Sequence, residues 1–313
     1  MDICVQTGDI VVDFGFEKGY KMIKDAGFEA VDWNIDHALP RATLEKAKEL
    51  KDICIFEKPL PEVLAYYEPQ LKYIRENGLK ISQAHAPFPA YLPGREDILE
   101  FCIRMYNRAI ELCDAVGCKN LVIHGITLAK NEKDAKGDTP ERIKELNMRL
   151  YSGLIETLQR TNVTVCLENL FSGGPFNTYY EGVCSDPHTA VEYIDTLNAM
   201  AGKECFGLCL DTGHLNLLGK RFYTYVPILG KRIKCLHIHD NTAQYDNHLA
   251  PYSGTIQWNE FIDEMRKIGY DHDLSFETFR QTRLTTIDAD LVPTFLKLIH
   301  DIGVFFRKKI SES

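Results

Sequence analysis

The chain of 313 residues contains no apolar run approaching the ~20 residues that a membrane-spanning helix needs, which argues against a place in the bilayer. Its opening, Met1-Asp2-Ile3-Cys4-Val5-Gln6, has neither a basic start nor an apolar signal core. No Gly-rich phosphate turn follows the first apolar run, so neither a dinucleotide-binding sheet nor a nucleotide cofactor is expected. No Pro/Gly/Ser-rich linker, low-complexity tract or repeat of roughly 20–50 residues interrupts the chain. The ten cysteines are scattered, and the pairs Cys113/Cys118 and Cys205/Cys209 lack the spacing of a zinc knuckle or a redox CxxC. Cys4, Cys54, Cys166, Cys209 and Cys235 sit in apolar stretches, where a thiol is usually a small buried hydrophobe. A reduced, cytoplasmic protein is the expectation. Positive charge is also short, with 36 Lys and Arg against 45 Asp and Glu, a net charge of −9. The basic clusters Lys231-Arg232 and Arg307-Lys308-Lys309 are small, whereas phosphate backbones call for clustered cations, so nucleic acid is disfavoured as a partner.

What the sequence has is apolar material, 45% of it, enough for a large core. Short apolar runs near 2–6, 28–34, 79–86, 120–125, 163–168, 206–211, 233–239 and 273–277 read as strands. Several are nearly continuous, such as Leu121-Val122-Ile123 and Val163-Thr164-Val165-Cys166-Leu167, as strands buried on both faces should be. Between them, residues 97–116, 141–159 and 258–268 place apolar residues at helical spacing, and Asp186-Pro187 has the form of a helix start. Eight strands alternating with helices predict an α/β fold of the (β/α)8 barrel type. Such barrels commonly run to roughly 250 residues or more as one domain, so a single domain over residues 1–313 is expected.

The later runs end in metal-capable residues: His85, His124, Glu168, Asp211, His237 and Glu277. These positions are separated by 39, 44, 43, 26 and 40 residues, each gap long enough for one helix and one strand. A barrel brings all strand C-termini to one face, so the six would converge. Taken singly, each has a duller explanation as a hydrogen-bonded structural residue or loop cap. Together, clustered carboxylates would repel one another, and a divalent cation is the simplest neutraliser. Carboxylate and imidazole ligands suit Mn, Zn, Co or Fe, and carboxylate-rich sets also suit Mg.

Two stretches carry a more specific signal. One is Leu210-Asp211-Thr212-Gly213-His214. The other runs from His237-Ile238-His239-Asp240-Asn241 through Asp246-Asn247-His248-Leu249 to Pro251-Tyr252-Ser253-Gly254-Thr255-Ile256-Gln257-Trp258. They resemble the xylose isomerase-like barrel superfamily, which contains sugar isomerases and epimerases, inosose dehydratase and endonuclease IV. Tyr252 stands where that pattern usually has Gly. In the epimerase branch, the resemblance implies one metal held by Glu168, Asp211, His237 and Glu277, with Glu168 and Glu277 also moving the substrate proton. It implies that His85, His124, His214, Asp246 and His248 bind substrate or further metal. His237 is favoured over His239 because it stands in H-x-x-D register with Asp240, leaving His239 as a second-layer or core residue.

The resemblance thus implies a divalent-metal-dependent isomerase or epimerase of a sugar or sugar phosphate, working by proton transfer through a metal-stabilised enediolate. The segment 169–186, with Phe171, Phe176, Tyr179, Tyr180 and Gly173-Gly174, reads either as a lid over the sugar or as a loop packed by its own aromatics. Three rivals stay open. The same site could serve a dehydratase or lyase acting on a keto-sugar or cyclitol. An endonuclease IV-like zinc phosphodiesterase at abasic DNA would use nine counterparts of the residues above. A non-catalytic sugar-binding subunit would keep the fold alone. A homo-oligomer is compatible with all of them.

Overall fold

In the computed structural model, which describes residues 1–127 and 139–312, each of the eight apolar runs forms a strand. The strands are β1 (Ile3–Gln6), β2 (Ala30–Asn34), β3 (Lys80–His85), β4 (Asn120–Ile123) and β5 (Thr164–Glu168). After a short hairpin of β6 (Phe171–Gly173) and β7 (Tyr179–Glu181) come β8 (Phe206–Asp211), β9 (Ile233–His237) and β10 (Leu274–Phe276). The sheet order is β10-β1-β2-β3-β4-β5-β8-β9. Ile3 pairs with Leu274 and Cys4 with Ala30, both in parallel. Just past β9, Ile238 pairs with Phe276: its N–H donates to Ser275 O at 2.8 Å, and Glu277 N–H donates to Ile238 O at 3.0 Å. Strand order therefore follows sequence order and returns to its start, the connectivity of a (β/α)8 barrel.

The chain divides into two compact units. The first contains Met1–Trp33, Pro69–Gln83 and Cys209–Ser313. Its core is covered by the last helix, Val292–Ser311, whose Phe306 ring stacks on Trp258 at 5.3 Å and on Phe276 at 6.3 Å. Burying such a ring contributes about 2–3 kcal/mol. Gly303 makes the approach possible, since a Cβ there would lie 2.6 Å from Ile3 Cγ2 and 2.9 Å from Phe276 Cε2.

The second unit contains Asn34–Glu68 and Ala84–Leu208. Its longest helix, Glu96–Val116, buries Ile98, Phe101, Met105, Ile110 and Leu112, and stops at Gly117 with φ 77°. The Asp186 carboxylate accepts from Thr189 N at 2.8 Å, capping the helix that Pro187 opens. The periodicity over 141–159 predicts one helix, whereas two form, Pro140–Ser152 and Ile155–Gln159. The break falls at Gly153, where a Cβ would lie 2.8 Å from Ile103 Cγ2 and where the carbonyl accepts from Asn107 Nδ2. The segment 169–186 is largely the β6–β7 hairpin. Phe171 packs edge-on against Tyr179 at 5.1 Å, and Phe176 at its tip is 99% exposed. All ten cysteines are buried, and none is in a disulfide. No helix among the described residues is long and apolar enough to cross a membrane.

Candidate metal centre and active site

In the second unit, three strand ends bring His85, His124 and Glu168 together. His85 Nε2 lies 3.1 Å from His124 Nε2, and His124 Nε2 lies 2.9 Å from Glu168 Oε2. His85 Nδ1 donates to Ala86 O at 2.9 Å, which turns Nε2 toward His124. The loop carrying His124 is clamped by Asn147, which accepts from Ile126 N and donates to Ile126 O, both at 2.8 Å. Gly125 lets that clamp close, since a Cβ there would lie 2.6 Å from Val183 Cγ1 and 3.0 Å from Asn147 Oδ1. The Phe88 ring lies 4.4 Å from the His124 ring, giving the cluster an apolar neighbour.

The first unit holds the larger group. Asp211 ends β8 and caps the helix Thr212–Leu217, its Oδ1 accepting from His214 N at 2.7 Å. Side chains two apart on a strand point the same way. His237 and His239 accordingly both face Asp211. His239 Nε2 is 3.0 Å and His237 Nδ1 4.0 Å from Asp211 Oδ2. Glu277 Oε2 lies 3.7 Å from His237 Nδ1 and 3.6 Å from His248 Nδ1. His248 stacks on His239 with ring centres 4.0 Å apart, and its Nε2 is 3.1 Å from Asp246 Oδ2. His214 Nε2 lies 3.7 Å from the same oxygen. Burial alone would push the Asp246 carboxyl up, but the hydrogen bonds and charges of His214 and His248 outweigh it and hold the group well below the usual carboxylate range.

The loop from Asn241 to Gln257 is seated by one buried carboxylate. Asp240 accepts from Asn241 N at 2.9 Å, Gly254 N at 3.0 Å, Ile256 N at 3.2 Å and Trp258 Nε1 at 2.9 Å. The motif spacing thus has a physical cause: Asp, Gly, Ile and Trp form one hydrogen-bonded unit that carries Asp246 and His248. Gly254 is required by the close approach, since a Cβ would lie 2.3 Å from both Asn241 O and Asp240 Oδ1. Gly213 is required likewise, with His239 Cε1 2.0 Å from its Cβ position. Tyr252, at the position where the family pattern usually has Gly, takes φ 70°, in the left-handed region that favours glycine.

The donor set fits a divalent cation. Asp211, His214 and His239 offer atoms within 4.8 Å of one another, as do His239, Asp246 and His248, and as do His85, His124 and Glu168. With ligand bonds of about 2.0–2.2 Å, two donors on one ion lie roughly 3–4 Å apart. The 3.7 and 4.0 Å from His237 Nδ1 to Glu277 and Asp211 are in that range.

The structure therefore gathers His85, His124 and Glu168 in one unit, and Asp211, His214, His237, Asp246, His248 and Glu277 in the other. Two residues gain a place that the motifs did not give them. His239 sits directly on Asp211. Asp32, on β2, lies 3.3 Å from His237 Nε2. The only hint of Asp32 in the sequence is an acid at an interior position of the strand Ala30-Val31-Asp32-Trp33-Asn34.

The sequence pattern of the xylose isomerase-like TIM barrel family matches residues 20–297, and the chain belongs to that family. It is 22% identical over 298 residues to the protein y4fM of Sinorhizobium fredii, covering 89% of this chain and 87% of that one. Among solved structures, a D-tagatose 3-epimerase-like protein superposes with a TM-score of 0.69 at 19% identity, over 99% of this chain and 100% of the other. D-allulose 3-epimerase from Methylomonas sp., solved in complex with D-allulose, gives 0.68 at 14% identity, over 99% and 96%. At such identities the likeness speaks for the fold.

Proposed function

We propose that the protein is a divalent-metal-dependent isomerase or epimerase of a ketose or ketose phosphate, with residues 1–313 working as one barrel domain. Family membership and the epimerase names of the similar structures support the reaction class. The observation that carries the reading is the carboxylate–imidazole–carboxylate grouping of Asp211, His237 and Glu277. These three would hold the metal together with Glu168, which the family pattern puts in the remaining ligand position. When bound, Mn, Co, Zn or Mg would polarise the substrate carbonyl and stabilise the negative charge of an enediolate.

The chain's own residues supply the proton chemistry. Glu168 and Glu277 are the groups that move the proton on the carbon beside the carbonyl, one taking it and the other returning it. Both are nearly inaccessible, at 1% and 8% exposure, so the proton is shielded from bulk water. His85, His124 and His214 are suited to the sugar hydroxyls. Asp246 orients His214 and His248.

The groupings His85–His124–Glu168 and His239–Asp246–His248 keep a multi-zinc phosphodiesterase as the second reading. Metal content of protein purified without added metal, measured by elemental mass spectrometry, separates the two. One ion per chain, with ketose-dependent uptake of solvent deuterium that falls at least ~100-fold in Glu277→Gln, supports the isomerase or epimerase. Three zinc ions with cleavage of abasic DNA would replace it by the phosphodiesterase. Loss of a substrate hydroxyl would make the enzyme a lyase. Absence of bound metal, with no metal-dependent rise in Tm, would remove the reading altogether.

A further inference from the structure

Asp32 is fully buried, and three strands converge on one of its oxygens. Its Oδ2 accepts from Gln83 Nε2 at 2.8 Å and from Ser275 Oγ at 3.2 Å, and it stands 3.3 Å from His237 Nε2. Gln83 is itself fixed, because its Nε2 also donates to Leu236 O at 3.2 Å, next to His237. The carboxylate therefore has a set position, held from β3 and β10, on the far side of the His237 ring from Asp211 and Glu277.

That position has a chemical consequence. An ionised carboxylate only accepts hydrogen bonds, so it favours a proton on the ring nitrogen that faces it. A neutral imidazole has one N–H. With the proton on Nε2, the lone pair lies on Nδ1, the nitrogen that faces Asp211 at 4.0 Å and Glu277 at 3.7 Å. We propose that Asp32 is a positioning residue that keeps His237 in the Nε2–H tautomer with Nδ1 turned toward the metal. With a metal bound, carboxylate, imidazole and metal would stand in series, an arrangement that raises the basicity of the ligand nitrogen and fixes its ring plane. This inference rests on the metal reading above and adds to it a residue that no motif assigned.

A purely structural Asp32 would serve only as the acceptor for Gln83 and Ser275. Co(II) titration of the wild-type and Asp32→Asn proteins, followed by absorbance, distinguishes the roles, because Asn keeps the size and one acceptor oxygen. The expected result is a dissociation constant raised by about 10–100-fold in the variant, with the Tm of the metal-free protein little changed. Equal affinities within twofold would overturn the proposal and leave the metal reading standing. A wild-type protein that binds no Co(II) would overturn both.

Should Asp32→Asn fail to fold, the wild-type protein still decides. Loaded with Zn(II), its ¹⁵N-labelled imidazoles report which ring nitrogen is protonated, and His237→Asn identifies the His237 signal. A proton on Nε2 supports the proposal, whereas metal on Nε2 with the proton on Nδ1 overturns it.

Discussion

Replacing Asp240 by Asn changes one oxygen into an amide while leaving the shape of the side chain intact. The structure fixes the cost. Oδ1 accepts from Asn241 N and Ile256 N, and Oδ2 from Gly254 N and Trp258 Nε1. Whichever way the new amide turns, its NH2 points at two N–H donors that have lost their acceptor. A buried donor left without a partner costs about 1–3 kcal/mol, so the pair amounts to ~4 kcal/mol. The unfolding entropy near Tm is about 2 cal/mol/K per residue, so in a chain of 313 residues that loss lowers Tm by ~6 °C. Differential scanning calorimetry of the metal-free proteins measures it directly. The loop that Asp240 seats carries Asp246 and His248, so a weakened metal-dependent rise in Tm should accompany the loss. A variant within 1 °C of wild type would refute the reasoning, because it would mean that the four donors find other partners at no cost.

Other outcomes follow from single observations. Gly213→Ala forces a methyl group onto His239 Cε1, so it should cost roughly 1–3 kcal/mol of stability and displace the ring that touches Asp211; urea denaturation would show it. The cysteines should be inert in the native state, since all ten are buried and burial pushes the Cys54 thiol up to about 11 and the Cys102 thiol up to about 12. A chromogenic disulfide reagent near pH 8 should react slowly with the native protein and release ten equivalents after denaturation. A thiol that reacts within seconds in the native state would contradict that burial.

The strands were legible because strands covered on both faces read as nearly continuous apolar runs. The run at 206–211 coincides with β8, and that at 120–125 exceeds β4 by two residues. Helices were less so. Leu60–Glu76 carries Pro69, and Phe222–Leu229 carries Pro227, residues that read as breaks in a helical pattern. The three-residue strands of the β6–β7 hairpin are too short to leave a periodic signal. The strand-end residues of the candidate site could be picked out from the sequence because the fold repeats its spacing. Asp32 could not, because its meaning lies in contacts with Gln83, His237 and Ser275, which are 51, 205 and 243 residues away in the chain. His239 was visible but ambiguous, since sharing a strand face with His237 does not say which ring comes nearer to Asp211.

The pairing of Ile3 with Leu274 has a consequence for the nascent chain. The first strand leaves the ribosome about 270 residues before the partner that completes its second edge, a delay of roughly 15–50 s at 5–20 residues per second. Until then one side of β1 offers unpaired backbone groups to any strand it meets. The backbone N–H of Asp2, which donates to Asp273 Oδ1, and the carbonyl of Met1, which accepts from Arg307 Nη1, are waiting for the same late segment. Production of this protein should therefore depend on translation speed and on chaperones that shield strand edges, and a chain stopped short of residue 274 should aggregate rather than fold into a smaller version of itself.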